Sequence, residues 1–312
     1  MEEHLLSIEF TGLSLKNPVI AASGTFGFGL EYKGIYPPEL FGAIILKGTT
    51  LLPKEGNPPP RIYETASGLI NSIGLQNPGI EIVYKNYIPQ LQTVRDKGTT
   101  VILNIAGETV DEYAKLAKIC DERGLIDAIE VNLSCPNIRK GGISFALDPD
   151  ASFAIVKAVR ENTKLPVIAK LAPVVSSIGE IARICQDAGA DAISAINTLP
   201  ALAIDIKKGK FFLGSGSGGL SGPAIKPFAL MQVYKIAQSV SIPVIGCGGI
   251  TSWQDAVEFF LVGSSAIQVG TGLFISAKTI ENIIEGLIKY LKSKGKRNIR
   301  DITGVLLKDS KI

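Results

Sequence analysis

Lysine and amide side chains stand at or near the ends of several apolar runs in this sequence. Lys47 ends AIILK, Asn104 lies in TVILNI, Asn132 in DAIEVNL, Lys170 in LPVIAKL and Asn197 in ADAISAIN. These positions contain no carboxylate pair, and the whole chain has one histidine, which excludes the common hydrolytic constellations. Amides and lysines suit a planar ligand whose edges carry carbonyl and N–H groups.

Glycines follow the last two apolar runs, at Gly248 and Gly249 and at Gly270. Bare backbone amides at such positions approach a phosphate closely, and helix N-termini add favourable dipoles. Gly222 is a third candidate, because the proline after it suits the first position of a helix. The alternative is that these glycines only form tight turns. A GxGxxG match over 214–219 follows no strand and opens no helix, so we interpret it as a flexible loop and not as a dinucleotide-binding motif.

The four cysteines, Cys120, Cys135, Cys185 and Cys247, form no CxxC pair. Iron–sulfur clusters and zinc sites need several soft ligands at suitable spacing, so the sequence predicts no metal site in this chain. Cys120 and Cys185 lie in amphipathic helical patterns, which indicates packing roles, and we assign Cys247 to packing as well. Cys135 differs from these, because it follows a strand and precedes a long glycine-hinged loop.

Short apolar runs alternate with helical patterns along the chain, and these elements must position the polar residues. Near-continuous apolar strands separated by helices predict a parallel sheet covered on both faces, and eight such units fit a closed barrel. The predicted strands are 18–23, 43–47, 100–105, 127–133, 165–171, 190–197, 242–248 and 265–271. The predicted helices are 81–97, 110–123, 149–163, 177–189, 223–240, 252–262 and 279–293.

The stretch SIEFTGLSLKN, at 7–17, predicts a β-hairpin that closes the bottom of the barrel. Two connections, 48–80 and 198–222, are longer than a barrel needs, which is typical of lids or binding loops. We find no internal repeat and no linker that divides the chain. Residues 1–312 are therefore predicted to form one α/β domain, a (β/α)8 TIM barrel with an N-terminal β-hairpin and long βα loops.

Composition excludes several other classes of protein. Hydrophobic residues make up 46% of the chain and charged residues 20%, which allows a sizeable core. A net charge of +3, from 32 basic and 29 acidic residues, gives no reason to expect nucleic acid or an anionic membrane as a partner. No apolar run approaches the roughly 20 residues of a membrane span, and the N-terminus shows no secretory signal. We therefore expect a cytoplasmic protein.

Seven motifs, spread in order over nearly the whole chain, resemble those of dihydroorotate dehydrogenases. The cysteine in NLSCPN is similar to class 1 of that family, since the membrane-associated class 2 enzymes have serine there. GGLSGPAIKP and SGTFGFG resemble the NAD-linked subtype of class 1 (class 1B). The motifs are NPVIAASGTFGFG (17–29), NSIGLQNPG (71–79), VNLSCPN (131–137), KLAP (170–173), INTL (196–199), GGLSGPAIKP (218–227) and IPVIGCGGI (242–250).

The resemblance implies FMN as cofactor, dihydroorotate as substrate and orotate as product, within pyrimidine (UMP) biosynthesis. It implies flavin-binding positions at Ser23, Lys47, Gly48, Asn104, Asn132, Lys170, Ile196, Gly222, Gly248, Gly249, Gly270 and Thr271. It implies substrate-binding positions at Lys47, Asn71, Ser72, Ile73, Gly74, Leu75, Asn132, Asn197 and Thr198.

The resemblance also assigns roles to individual residues. Cys135 falls on the proton-abstracting base, and a free thiol needs activation for that task. Lys170 is expected to place positive charge near the pyrimidine edge of the flavin, and Lys47 to bridge flavin and substrate. Val174 departs from the family pattern, which often has asparagine after KLxP, and this puts one local loop contact in doubt.

A NAD-linked enzyme must pass its electrons to NAD, yet this sequence has no credible nicotinamide-binding unit and no cysteine cluster. The resemblance therefore implies a partner subunit with FAD and a [2Fe–2S] cluster, around a homodimer of this chain within a heterotetramer. Four alternatives stay open: a fumarate-linked class 1A enzyme, a dihydropyrimidine dehydrogenase-like module, a Schiff-base aldolase that uses a strand-end lysine, and a non-enzymatic binding barrel.

Overall fold

The computed structural model describes residues 3–133, 148–173 and 177–309. Within these ranges the strands are β1 (Ile8–Phe10), β2 (Leu13–Leu15), β3 (Val19–Ala21), β4 (Ala43–Thr49), β5 (Ile62–Thr65), β6 (Gly68–Asn71), β7 (Thr100–Ile105), β8 (Ala128–Asn132), β9 (Val167–Lys170), β10 (Ala192–Ala195), β11 (Leu199–Leu202), β12 (Ile204–Asp205), β13 (Lys210–Phe211), β14 (Ser217–Ser221), β15 (Val244–Cys247) and β16 (Ala266–Val269). The α-helices are α1 (Glu3–Leu6), α2 (Ile80–Ile82), α3 (Gln92–Asp96), α4 (Val110–Arg123), α5 (Pro149–Glu161), α6 (Ile178–Asp187), α7 (Lys226–Ala237), α8 (Trp253–Leu261) and α9 (Thr279–Ser293).

Eight parallel strands close into a barrel in the order β10-β15-β16-β3-β4-β7-β8-β9. Every residue of β7 is buried, as expected for a strand with the barrel interior on one side and helices on the other. The closing pair joins β16 to β3, where Ile267 pairs with Val19. The predicted (β/α)8 barrel is confirmed.

Helices α4 to α9 lie where the sequence predicts helices, within a few residues at each end. Side chains cap several of them: Thr109 accepts a hydrogen bond from the backbone of α4, and Ser252 forms a capping box with Asp255 at the start of α8. In the described part of the chain, no helix is both long and apolar enough to cross a bilayer.

One predicted helix is wrong as a continuous element. From Ile80 to Asp96 the chain forms α2, a π-helix at Val83–Tyr87, a 3-10 helix at Ile88–Leu91 and then α3. Pro89 lies in this segment, and a proline inside a helix removes one backbone donor and crowds the preceding turn. The chain between β3 and β4 also departs from the simple repeat, since its one helical element is the 3-10 helix Pro38–Leu40.

The predicted N-terminal hairpin is present. β1 and β2 pair antiparallel, with Ile8 opposite Leu15, and Phe10 and Leu15 are almost fully buried. Only residues 16–18 separate β2 from β3, so the hairpin lies at the amino-terminal end of the barrel.

The two long connections pair with each other instead of forming separate loops. They build a four-stranded antiparallel sheet in the order β11-β14-β6-β5, in which Gly219 pairs with Asn71. The interpretation of 214–219 as a flexible loop is therefore wrong for its second half, which belongs to β14. Gly219 fits there because a Cβ at this position would lie 1.9 Å from Thr198 Oγ1.

Candidate active site

A cavity of about 480 Å³ opens at the carboxyl-terminal ends of the barrel strands. Strand ends bring the residues of the sequence motifs to its wall, as expected for this fold. All twelve positions assigned to flavin binding line it: Ser23, Lys47, Gly48, Asn104, Asn132, Lys170, Ile196, Gly222, Gly248, Gly249, Gly270 and Thr271. Of the positions assigned to substrate alone, Asn71, Ile73, Gly74, Leu75, Asn197 and Thr198 line it as well.

Ser72 is the one assigned position among the described residues that does not line the cavity. Its hydroxyl instead lies 2.6 Å from Ser215 Oγ and accepts a hydrogen bond from Asn57 Nδ2 at 2.8 Å. Ser72 thus ties the two long connections together. The neighbouring Asn71 donates to the Gly219 carbonyl at 3.2 Å, so β6 and β14 hold its side chain at the cavity.

A buried polar cluster lies among the barrel strands that reach the cavity floor. The Glu130 carboxylate on β8 is fully buried and accepts hydrogen bonds from Asn104 Nδ2 and from Gln268 Nε2, each at 2.7 Å. Gln268, on β16, also donates to Ser194 Oγ at 3.0 Å. Its Oε1 accepts a short hydrogen bond from Lys170 Nζ. Four strands besides β8 therefore converge on one carboxylate, directly or through Gln268.

Lys170 carries the positive charge of this cluster, and 4% of its surface is exposed. Its Nζ lies 3.8 Å from Glu130 Oε2. Burial alone lowers the pKa of the Lys170 ammonium, but Cys247 and Glu130 beside it outweigh burial, so this pKa lies above its ordinary value. Burial raises the pKa of the Cys247 thiol, which is therefore neutral near pH 7. The lasting negative charge beside Lys170 is the Glu130 carboxylate.

Lys47 enters the cavity from β4 under different electrostatic conditions. Its backbone N–H donates to the Gly27 carbonyl at 2.8 Å, which anchors the loop after β3 across the end of β4. The Glu31 carboxylate holds the same loop through the Phe28 N–H, at 2.8 Å. Burial lowers the pKa of the Lys47 ammonium, Glu31 opposes this shift, and Arg61 adds to it. Lys47 is therefore the more easily deprotonated of the two cavity lysines.

Glycines form the opposite wall of the cavity. Gly249 has a φ of +75°, and a Cβ there would lie 2.7 Å from Lys226 Cβ and 2.9 Å from the Gly222 carbonyl oxygen. Lys226 begins α7, and no side chain caps this helix or the 3-10 turn, Pro223–Ile225, that precedes it. The first N–H groups of this segment already have backbone acceptors, since Ala224 donates to the Ser67 carbonyl and Ile225 to the Gly222 carbonyl. Close approach of an anion at this wall therefore depends on the glycine turns after β15 and β16. At the same wall Thr271 Oγ1 donates to Ser221 Oγ at 2.7 Å.

Two residues singled out in the sequence, Cys135 and Val174, lie outside the described residues. The chain that leads to Cys135 is described up to Leu133, one residue past the end of β8. Tyr113 Oη donates to the Asn132 carbonyl at 2.7 Å, which fixes the end of β8 just before that segment.

Several cavity and cluster residues were not found by sequence reasoning. Glu130 and Gln268 did carry a signal, because a charged or amide residue inside an otherwise apolar barrel strand must have buried partners. Cys247 was assigned to packing, but it lines the cavity and contacts Lys170. Cys120 and Cys185 are fully buried, as predicted. Tyr32 and Phe274 line the cavity mouth from segments in which the sequence predicts no element.

The fold and the cavity define a class of protein, the (β/α)8 barrels with a ligand site across the carboxyl-terminal ends of their strands. Within that class, the chain belongs to the dihydroorotate dehydrogenase family, whose model matches residues 5–291.

Named relatives resemble the chain over almost its full length. It is 48% identical over 302 residues to a protein of Geotalea uraniireducens named dihydroorotate dehydrogenase B (NAD(+)), catalytic subunit, which covers 97% of this chain and 98% of that protein. Proteins with the same name from Geobacter sulfurreducens and Thermoanaerobacter pseudethanolicus are also 48% identical, over 306 and 304 residues. These matches cover 98% and 97% of this chain and 99% of each relative.

Proposed function

We propose that this chain is the catalytic subunit of a NAD-linked dihydroorotate dehydrogenase, which oxidises dihydroorotate to orotate in pyrimidine (UMP) biosynthesis. The observation that carries the proposal is the meeting of all twelve flavin-assigned positions around one strand-end cavity in a member of this family. The reaction removes a proton from C5 and a hydride from C6 of the substrate.

FMN fits the chemistry of the cavity wall. The glycine side, with Gly248, Gly249 and Gly270 at the ends of β15 and β16, allows backbone N–H groups to approach the phosphate closely. Asn104 and Lys170 on the floor offer an amide and a fixed positive charge to the polar edge of the ring. When bound, FMN supplies the hydride acceptor.

The substrate lies against the other half of the cavity in this proposal. Asn71, Asn132 and Asn197 present amides to the carbonyl and N–H edges of the pyrimidine, while Lys47 and Thr198 add a cation and a hydroxyl. The four-stranded sheet holds Asn71 and Thr198 together, since both contact Gly219.

Cys135 is the proposed base for the C5 proton. Its place in NLSCPN, three residues after the strand-end Asn132, supports this role. General base catalysis needs the thiolate, so the activity is expected to rise with pH as the thiol ionises.

The proposed partner is a separate subunit that holds FAD and a [2Fe–2S] cluster, assembled around a homodimer of this chain in the cytoplasm. The names of the relatives, which combine NAD(+) with the words catalytic subunit, support a separate electron-transfer subunit. In the described ranges the cysteines lie apart on α4, α6 and β15, which does not suit a cluster held by this chain.

The test begins with the visible spectrum of the purified chain. We expect a flavin spectrum that dihydroorotate bleaches, with NAD reduction only after the partner subunit is added. A protein without bound flavin that also fails to bind added FMN would refute the proposal. Efficient turnover with fumarate, and no gain from the partner, would place the chain in the fumarate-linked subtype.

A further inference from the structure

The buried cluster below the cavity gives one residue a role that the sequence motifs do not assign. We propose that Glu130 is a positioning residue, which holds Lys170, through Gln268, at the cavity floor and in its charged form. The inference rests on the proposed function to the extent that the ligand above Lys170 is a flavin. Glu130 does not line the cavity itself, so any effect on a ligand must pass through the residues that do.

Charge is the first part of the argument. Among the described residues, the ionisable groups that act on Lys170 are Glu130 from β8 and Cys247 from β15. Cys247 is a neutral thiol near pH 7, as its raised pKa requires. A lysine that is 4% exposed and has no counter-charge favours the neutral amine. The Glu130 carboxylate, 3.8 Å from Lys170 Nζ, is therefore what keeps the ammonium charged.

Orientation is the second part. Gln268 Nε2 donates two hydrogen bonds, one to Glu130 Oε2 at 2.7 Å and one to Ser194 Oγ at 3.0 Å. This arrangement turns Gln268 Oε1 toward Lys170, where it accepts from Nζ. A glutamine at position 130 would accept from only one of its two donors and would turn its own NH2 toward the other. Where that other donor is Gln268, it loses the arrangement that makes it an acceptor for Lys170.

The test is a double-mutant cycle on the midpoint potential of bound FMN, with E130Q, K170M and the double variant. Loss of the Glu130 negative charge acts directly on the flavin whether or not Lys170 is present, and this direct effect favours reduction of the flavin. An effect through Lys170 acts only where the lysine is present, and it disfavours reduction. We expect E130Q to shift the ratio of reduced to oxidised FMN about tenfold toward the oxidised form, about 30 mV for a two-electron couple. In the K170M background the same change is expected to cause no such shift.

Two further variants keep the result decisive. Q268M breaks the link but leaves the Glu130 charge, and we expect it to shift the ratio in the same direction as E130Q, which also covers the case in which E130Q does not fold. S194A is the matched neutral control, because it removes one hydrogen bond to Gln268 and no charge. It is expected to lower the potential much less than E130Q, because Glu130 still accepts from Gln268 Nε2.

Several outcomes would overturn the inference. The first two concern E130Q: a midpoint potential that is unchanged or raised, or a potential that E130Q lowers equally with and without K170M. The other two are a wild-type potential in Q268M and a potential that S194A lowers as much as E130Q does. None of these outcomes contradicts the proposed function, because each can be measured only if the wild-type chain binds FMN. A wild-type chain that binds no FMN refutes the proposed function instead.

Discussion

Gly249→Ala tests the assignment of the glycine wall to the flavin phosphate. A methyl group at this position would lie 2.7 Å from Lys226 Cβ, 2.8 Å from Lys226 N and 2.9 Å from the Gly222 carbonyl oxygen. Two of these three atoms belong to the backbone, so no side-chain rotation relieves the contact. The substituted loop must move away from α7.

The magnitude has two parts. A φ of +75° costs a residue with a Cβ roughly 1–2 kcal/mol, and forcing a methyl group into a packed site costs about 1–3 kcal/mol more. The free chain can relax the second part by moving the loop, but FMN binding requires the loop to return. Since about 1.4 kcal/mol is a factor of ten in affinity, the Kd for FMN should rise roughly 5- to 150-fold.

Gly98→Ala is the matched control. Gly98 has nearly the same φ, +76°, and a Cβ there would meet no atom within 4 Å. It is exposed and lies two residues before β7, at the opposite end of the barrel from the cavity. Fluorescence titration of FMN with apoprotein gives Kd, and urea unfolding gives stability. Wild-type affinity in Gly249→Ala, or an equal loss in Gly98→Ala, would refute the placement of the phosphate at this wall.

Three further predictions concern the base, the second glycine and the buried ion pair. Cys135→Ala is expected to slow dihydroorotate oxidation about 10²–10⁴-fold with FMN still bound. Cys135→Ser is expected to keep some activity with a higher pH optimum. A near wild-type rate for the alanine variant would exclude Cys135 as the base. Gly270→Val should fold, because a Cβ there meets nothing closer than 3.5 Å, but should lose FMN on purification, so full flavin occupancy would count against the site. The pKa of Lys170 is raised above 10.5, so its stabilising effect is complete below that pH and is lost as the pH rises through the folded-state pKa. Urea unfolding should therefore give the same difference in unfolding free energy between wild type and K170M/E130Q at pH 8 and at pH 10. A smaller difference at pH 10 would contradict a raised pKa of Lys170.

The barrel could be predicted from the sequence because its strands are buried on both faces. A short apolar run such as TVILNI is typical of a strand buried on both faces, and similar runs recur along the chain. The strand ends then follow, and with them the cavity residues. The helix predicted over 81–97 is wrong as a continuous element, because Pro89 interrupts the helical backbone there.

The sheet above the cavity gave a much weaker signal. β5 and β11 alternate between exposed and half-buried residues, so no apolar run marks them. β5 pairs with the adjacent β6, and β11 pairs with β14 of the same connection. The two pairs join only between β6 and β14, where Gly219 lies opposite Asn71 although the two residues are far apart in the chain. Pairing at that distance depends on the closed barrel beneath, which a local pattern cannot contain.

Glu130 shows why a polar cluster at this place is a matter of function more than of stability. A buried ion pair is often replaced by apolar residues of similar volume without loss of stability, whereas removal of one partner costs about 3–5 kcal/mol. The interior of a (β/α)8 barrel is normally filled by branched apolar side chains. In this chain Glu130, Lys170 and Gln268 occupy that interior instead, and all three are almost fully buried. Such a cluster stabilises the fold little more than leucine side chains would. It does fix one positive charge at the floor of the cavity, where the proposed flavin chemistry needs it.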